Sequence, residues 1–213
     1  MKQHNLGNRF RQKRMQRFKK LLLNIKANHL KILDIGGTIP FWKSFPDLYK
    51  NDRISITIVN INTDEIRDEN LHLISGDACA LPFQDNSFSV VHSNSVIEHV
   101  GHWREMERMA AEVQRLASCY FVQTPNMWFP IEPHFKLPFV HWLPEQTRAS
   151  IVQATGRSSK FETAREATLY VQRISLLSTN QMRCLFPDAH IWKERYLGFT
   201  KSLVAERFPG ERS

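Results

Sequence analysis

Five short apolar runs, rich in β-branched or aromatic residues and separated by helical patterns, most constrain how this chain can fold. They are "KILDI" (Lys31 to Ile35), "ISITIVNI" (Ile54 to Ile61), "LHLIS" (Leu71 to Ser75), "FSVVHSN" (Phe88 to Asn94) and "CYFVQTP" (Cys119 to Pro125). Strand-length runs alternating with helices read as parallel strands joined by crossovers. Between the last two runs, Met106, Met109, Ala110, Val113 and Leu116 recur at helical spacing, which predicts a long helix over roughly 103–116 with those residues inward. "PFWKSFPDLYK" (Pro40 to Lys50) reads as a short helix interrupted by proline.

Beyond Pro125 the pattern changes. "NMWFPIEPHFKLPFVHWLP", residues 126–144, crowds prolines, aromatics and histidines into a stretch that suits neither a regular helix nor a central strand, and it reads as a structured lid. Helical candidates follow over 145–186, and "AHIWKERYLGF" with "TKSLVAERF" supplies a closing hairpin. No internal repeat or low-complexity tract interrupts a single domain over 31–213.

Charge singles out what precedes that domain. The net charge is +8, yet ten of the 29 Lys and Arg lie at or before Lys31, with no acid ahead of Asp34. The remaining 19 basic and 21 acidic residues are nearly balanced. Residues 1–30 therefore form a basic arm in which Phe10, Met15, Phe18, Leu22 and Ile25 fall at approximately helical spacing. An amphipathic helix packed on the domain with solvated charges is one reading; contact with RNA or with an acidic membrane surface is the other.

Several functions are excluded by what the chain lacks. Cys79, Cys119 and Cys184 are odd in number and widely spaced, which suits a reducing cytoplasm and neither a disulfide framework nor a zinc knuckle. No apolar run approaches a membrane span of roughly 20 residues. His, Asp and Glu are scattered without H-E-x-x-H spacing, so the spacing assigns no metal site. Covalent catalysis lacks a G-x-S-x-G elbow.

In "KILDIGGTIPFW" the first strand ends in an acid and two glycines. At the carboxyl edge of an open parallel sheet, that turn is where ligands lie. Gly36 and Gly37 do not make the G-x-G-x-x-G of dinucleotide-binding proteins, which argues against nicotinamide or flavin.

Over Lys31 to Pro125 the sequence resembles the class I S-adenosylmethionine-dependent methyltransferases, in particular the small "type 11" group with an "LPF" loop after the third strand. The resemblance rests on "LDIGGT" (Leu33 to Thr38) and on "GDACALPFQDNSFSVVHSNSVIEHV" (Gly76 to Val100). It implies a Rossmann-like α/β fold with a mostly parallel seven-stranded sheet, helices on both faces and an antiparallel C-terminal hairpin. It also implies that Asp34, Gly36 and Gly37 hold the amino-acid portion of S-adenosylmethionine. Asn60 stands where the family has an acid for the ribose. The resemblance further implies that Asp77 and the backbone of Ala78 read the adenine and that Ser93 and Asn94 lie beneath the methionine portion.

Thr38 and Pro40 stand where later glycines of the first motif would fall, so the loop must run differently there, with Pro40 opening the next helix. Asn60 keeps an acceptor but gives up a charge-assisted hydrogen bond, a loss on the order of 1 kcal/mol.

Histidine has the pKa for relieving an acceptor of its proton near neutrality. His99 in "VIEHV" and His134 beside Glu132 are the candidate bases, with His141 behind them; Glu98 can help hold a substrate hydroxyl, and His92 inside a strand reads as structural. A compact domain that is not basic apart from its arm favours a small-molecule or glycan-type acceptor, methylated on oxygen or nitrogen. An RNA acceptor held by the arm, and a non-catalytic protein with a degenerate cofactor pocket, are the alternatives. The oligomeric state is not encoded in any recognisable pattern.

Overall fold

A computed structural model describes residues 2–155 and 163–210. Its centre is a single sheet in the order β3-β4-β2-β1-β5-β6-β8-β7. The first three expected runs become β1 (Leu30–Ile35), β2 (Ile54–Asn60) and β4 (Leu71–Ser75), and the next two become β5 (Val90–Asn94) and β6 (Tyr120–Pro125). These five are mutually parallel, β1 pairing with both β2 and β5. β7 (His190–Tyr196) and β8 (Phe199–Arg207) form the closing hairpin, with β8 antiparallel to β6.

The sheet has eight strands, one more than expected. The addition is β3 (Ile66–Asp68), antiparallel to β4 at the edge. Three residues are too few to carry a period-2 pattern, and its Arg67 is held by an ion pair to Glu65 at the surface. Its one apolar residue, Ile66, is exposed, so no apolar run marks it in the sequence.

Helices cover both faces. On one, α4 (Trp103–Leu116) buries Met106, Met109, Ala110, Val113 and Leu116, the predicted stripe, against Leu33, Val91 and Val122 together with α7 (Thr179–Leu185). On the other lie α1 (Lys2–Leu22), α2 (Ile39–Lys43) and α3 (Pro46–Tyr49). Thr38 caps α2 by accepting from the Phe41 N–H at 3.3 Å, and Pro40 sits in the first turn, where a missing N–H costs nothing.

The N-terminal helix is part of the body of the protein. Met15, Phe18, Leu21 and Leu22 are buried in the same core as Trp42, Ile56 and Phe121. Each such side chain contributes about 1.5–3 kcal/mol. Its basic residues divide: Arg14 pairs with Glu194 at 2.8 Å and Arg17 with Glu206, whereas Arg9, Arg11 and Lys13 remain exposed.

The lid segment 126–144 continues into α5 (Glu145–Ala154), and with α6 (Ala164–Gln172) it builds a small satellite core from Phe135, Val140, Ala149, Val152 and Val171. Of the region expected to be helical over 145–186, residues 156–162 lie outside the described residues. No helix among the described residues is long and apolar enough to cross a membrane.

Candidate active site

All five parallel strands end on one edge of the sheet, so the loops after β1, β2, β4, β5 and β6 are neighbours there. The β1 loop is fixed first. Gly36 N–H donates to Val59 O at 2.7 Å, and Gly36 adopts φ +75°, a conformation costly for other residues. A Cβ at Gly36 would stand 2.3 Å from Val96 Cγ2, and one at Gly37 would stand 1.7 Å from Asp34 Oδ2. Both glycines are thus required by close approach.

Two clefts flank this loop. One, of about 270 Å³, is lined by Gly36, Val59, Asn60, Asp77, Ala78 and His99 among others. The second, of about 510 Å³, lies between the loop and α1, with Arg11, Asp34, Gly36, Gly37, Thr38 and Asn94 on its walls. Together they offer a largely apolar slot on one side of Gly36 and a chamber of mixed polar and apolar walls on the other.

The individual side chains differ in how far other groups of the protein already hold them. Asp34 is 1% exposed, and both its oxygens are held: Trp42 Nε1 donates to Oδ2 at 2.6 Å and His92 Nδ1 to Oδ1 at 2.7 Å. It shapes the loop from beneath, in place of the expected direct hold on an amino group. His92 is structural, its ring packed among Phe18, Trp42 and Phe121.

Ser93 is fully buried, and its hydroxyl donates to Ile35 O at 3.2 Å, so it braces β1 where a place beneath the methionine portion was expected. Asn94, its neighbour, does reach a cleft, where its Oδ1 accepts from Arg14 Nε at 3.1 Å. Asn60 holds the loop as well as lining the slot: Nδ2 donates to Gly37 O at 3.1 Å and Oδ1 accepts from Ile61 N–H at 2.8 Å. Asp77 is exposed on the slot wall, and one of its oxygens accepts from Cys79 N–H at 2.9 Å.

At the mouth of the smaller cleft the loop after β5 meets the lid. His99 lines that cleft, and its Nε2 lies 3.1 Å from His134 Nε2. His99 Nδ1 donates to Arg173 O at 3.3 Å, and His134 Nδ1 donates to Glu132 Oε1 at 2.7 Å. Glu98 is fully buried beside them; Oε2 accepts from Thr124 Oγ1 at 3.0 Å, while Oε1 has no hydrogen-bond partner. Burial pushes the Glu98 carboxyl up to about 7 and, with the neighbouring His134, lowers the His99 imidazolium. His141 is held away from this group, its Nε2 donating to Met127 O at 2.9 Å.

Glu132 is the residue that sequence reading passed over as a participant. It is fully buried and carries both His134 and the Phe135 N–H. The Glu-Pro-His spacing was its only visible signal.

A methyltransferase-domain family model matches residues 43–118, from α2 to just past α4. Over that stretch the chain carries the methyltransferase-domain pattern. No curated protein matches it in sequence.

Among solved structures, this methyltransferase is similar to an S-adenosylmethionine-dependent methyltransferase from Methanosarcina mazei (14% identity, 88% of this chain and 96% of that one, TM-score 0.48). It is also similar to phosphoethanolamine N-methyltransferase 2 of Haemonchus contortus, solved with S-adenosylmethionine (13% identity, 84% and 38%, TM-score 0.52). A third, from Rhodobacter sphaeroides and described as a putative zinc-dependent alcohol dehydrogenase, shares 9% identity over 87% and 86% at TM-score 0.53. At such identities the likeness is one of fold, and substrate choice has to be read from the methyltransferase's own residues.

Proposed function

We propose that this methyltransferase acts on an oxygen or nitrogen of a small-molecule or glycan-type acceptor that enters beneath the lid, beside His99 and His134. The observation that carries this reading is the convergence of Glu98, His99 and His134, from two separate segments, beside the smaller cleft that His99 lines. The site fits the cofactor: the two glycines leave backbone where any Cβ would intrude, and an apolar slot adjoins a chamber with Arg11, Asn94 and the glycine backbone on its walls.

S-adenosylmethionine supplies a methyl group already activated on a sulfonium. The protein's part is to hold and orient. In this reading Asp77 and Ala78 receive the adenine, Asn60 offers its remaining acceptor capacity to the ribose, and Asn94 with the Gly36–Gly37 backbone frames the amino-acid end. His99 and His134 position the acceptor and assist loss of its proton, with Glu132 holding His134 in one orientation.

Trp128, Phe139 and Trp142 are exposed on the lid and in contact with one another, a surface suited to a sugar face or an aromatic ring. An RNA acceptor has one observation in its favour, the exposed Arg9, Arg11 and Lys13 of α1. It demands affinity that falls steeply with salt.

Calorimetric titration with S-adenosylmethionine tests the site map. Asp77→Ala should weaken binding at least tenfold, whereas His134→Ala should bind the cofactor normally and lose turnover. Unaltered binding by Asp77→Ala overturns the map.

A further inference from the structure

The meeting of His99 and His134 poses a problem of proton placement. A backbone carbonyl can only accept, so the contact of His99 Nδ1 with Arg173 O puts that ring's hydrogen on Nδ1. The contact of His134 Nδ1 with the Glu132 carboxylate does the same for the second ring. With both rings neutral, each presents a bare lone pair at Nε2, and these two atoms face each other at 3.1 Å. Two acceptors do not bind one another.

A third acceptor is aimed at the same place. Glu98 Oε1 lies 4.0 Å from His99 Nε2, is fully buried, and has no hydrogen-bond partner. The three donor atoms fall within 4.8 Å of one another. A cation between them would satisfy all three.

We propose that Glu98, His99 and His134 form a binding site for a divalent transition-metal cation of the zinc or manganese class. Two imidazole nitrogens bound near tetrahedrally to one zinc at about 2.0–2.1 Å stand about 3.3 Å apart, close to the separation seen here. Two nitrogens and one carboxylate oxygen suit such an ion better than magnesium or calcium, which favour all-oxygen shells.

The outer contacts match what metal-bound histidines use: each ring is oriented through Nδ1, one by a backbone carbonyl and one by a buried carboxylate. Three protein ligands leave a position open toward the cleft that His99 lines. There an acceptor hydroxyl would bind and give up its proton more readily. That last role rests on the proposed function and assigns the histidines to holding the ion, with the ion taking the place of a free base; the binding site itself does not depend on it.

The ligands come from the β5 loop and from the lid, 35 positions apart, which is why spacing along the sequence assigned no metal.

The test is titration of the chelator-stripped full chain with Co²⁺, read by visible d–d absorption and by calorimetry, without cofactor or acceptor. The expected result is one Co²⁺ per chain with the intense bands of a low-coordinate nitrogen-oxygen site, displaced by Zn²⁺. His134→Ala and Glu98→Gln should weaken it more than tenfold, and Glu132→Gln about 10- to 100-fold. His72→Ala, on β4, should leave it unchanged.

Should Glu98→Gln fail to fold, the partly exposed His99→Asn serves in its place. A folded wild-type protein that binds no Co²⁺, or binds it equally in His134→Ala, overturns the site. Turnover that persists in chelator alongside either result leaves the histidine-base reading standing. Co²⁺ bound as expected by a chain that fails to bind S-adenosylmethionine overturns the proposed function and retains the metal.

Discussion

Arg14 of α1 lies 2.8 Å from Glu194 of β7, and both side chains are almost wholly buried. The pair fastens the first helix of the chain to its penultimate strand, with Ser202 donating to the same carboxylate oxygen at 3.0 Å. Breaking a buried pair strands the remaining charge, so Arg14→Met should cost about 3–5 kcal/mol in denaturant unfolding. Arg14→Met combined with Glu194→Leu should recover much of that loss. An additive double variant would show that the two residues do not interact.

Phe18 tests whether α1 belongs to the fold. Its ring is fully buried, 5.4 Å from Phe121 and 6.4 Å from Phe208. Phe18→Ala should destabilise by about 3–5 kcal/mol, and removal of the first 22 residues should abolish the cooperative thermal transition. A truncated chain that melts normally would make α1 a detachable arm.

The turn after β1 predicts a coupling. Gly37→Ala places a methyl group against the Asp34 carboxylate and should cost about 1–3 kcal/mol, with loss of cofactor affinity. In a double-mutant cycle with Asp34→Ala, the two changes should be non-additive by about 0.5–3 kcal/mol, because the second removes the atoms that the first strikes. Independence of the two would misplace Asp34.

Lys201 predicts a pH dependence. Burial, opposed by Glu194 and reinforced by Arg14, holds its ammonium below the ordinary 10.5. Between the folded value and 10.5 the unfolded chain binds more protons than the native one, so native stability gains with rising pH over that window. Lys201→Met should remove this gain. The check is the difference in unfolding free energy between wild type and variant at several alkaline pH values: a flat difference contradicts the burial of the charge.

How far the sequence reveals the molecule follows from the range of the forces involved. The five parallel strands and the stripe of α4 are legible because local composition and period determine them. So are the two glycines and the placing of Pro40 at the start of α2. β3 is illegible, being three exposed-edge residues without a pattern. The actual partners of Asp34 and Ser93, Trp42 with His92 and the Ile35 carbonyl, depend on sheet register and on the seating of α2, which no local window records. The same limit hid the meeting of His99 with His134, since it depends on where a lid of mixed prolines and aromatics comes to rest.

Arg17 and its partner Glu206 are 189 positions apart. On a ribosome adding about 5–20 residues per second, α1 emerges roughly 10–40 s before the strand that receives it exists. A segment made well before β8 is therefore among the last that can dock. Until β8 arrives, a basic helix is left with its apolar face uncovered, the kind of surface that holding chaperones shield.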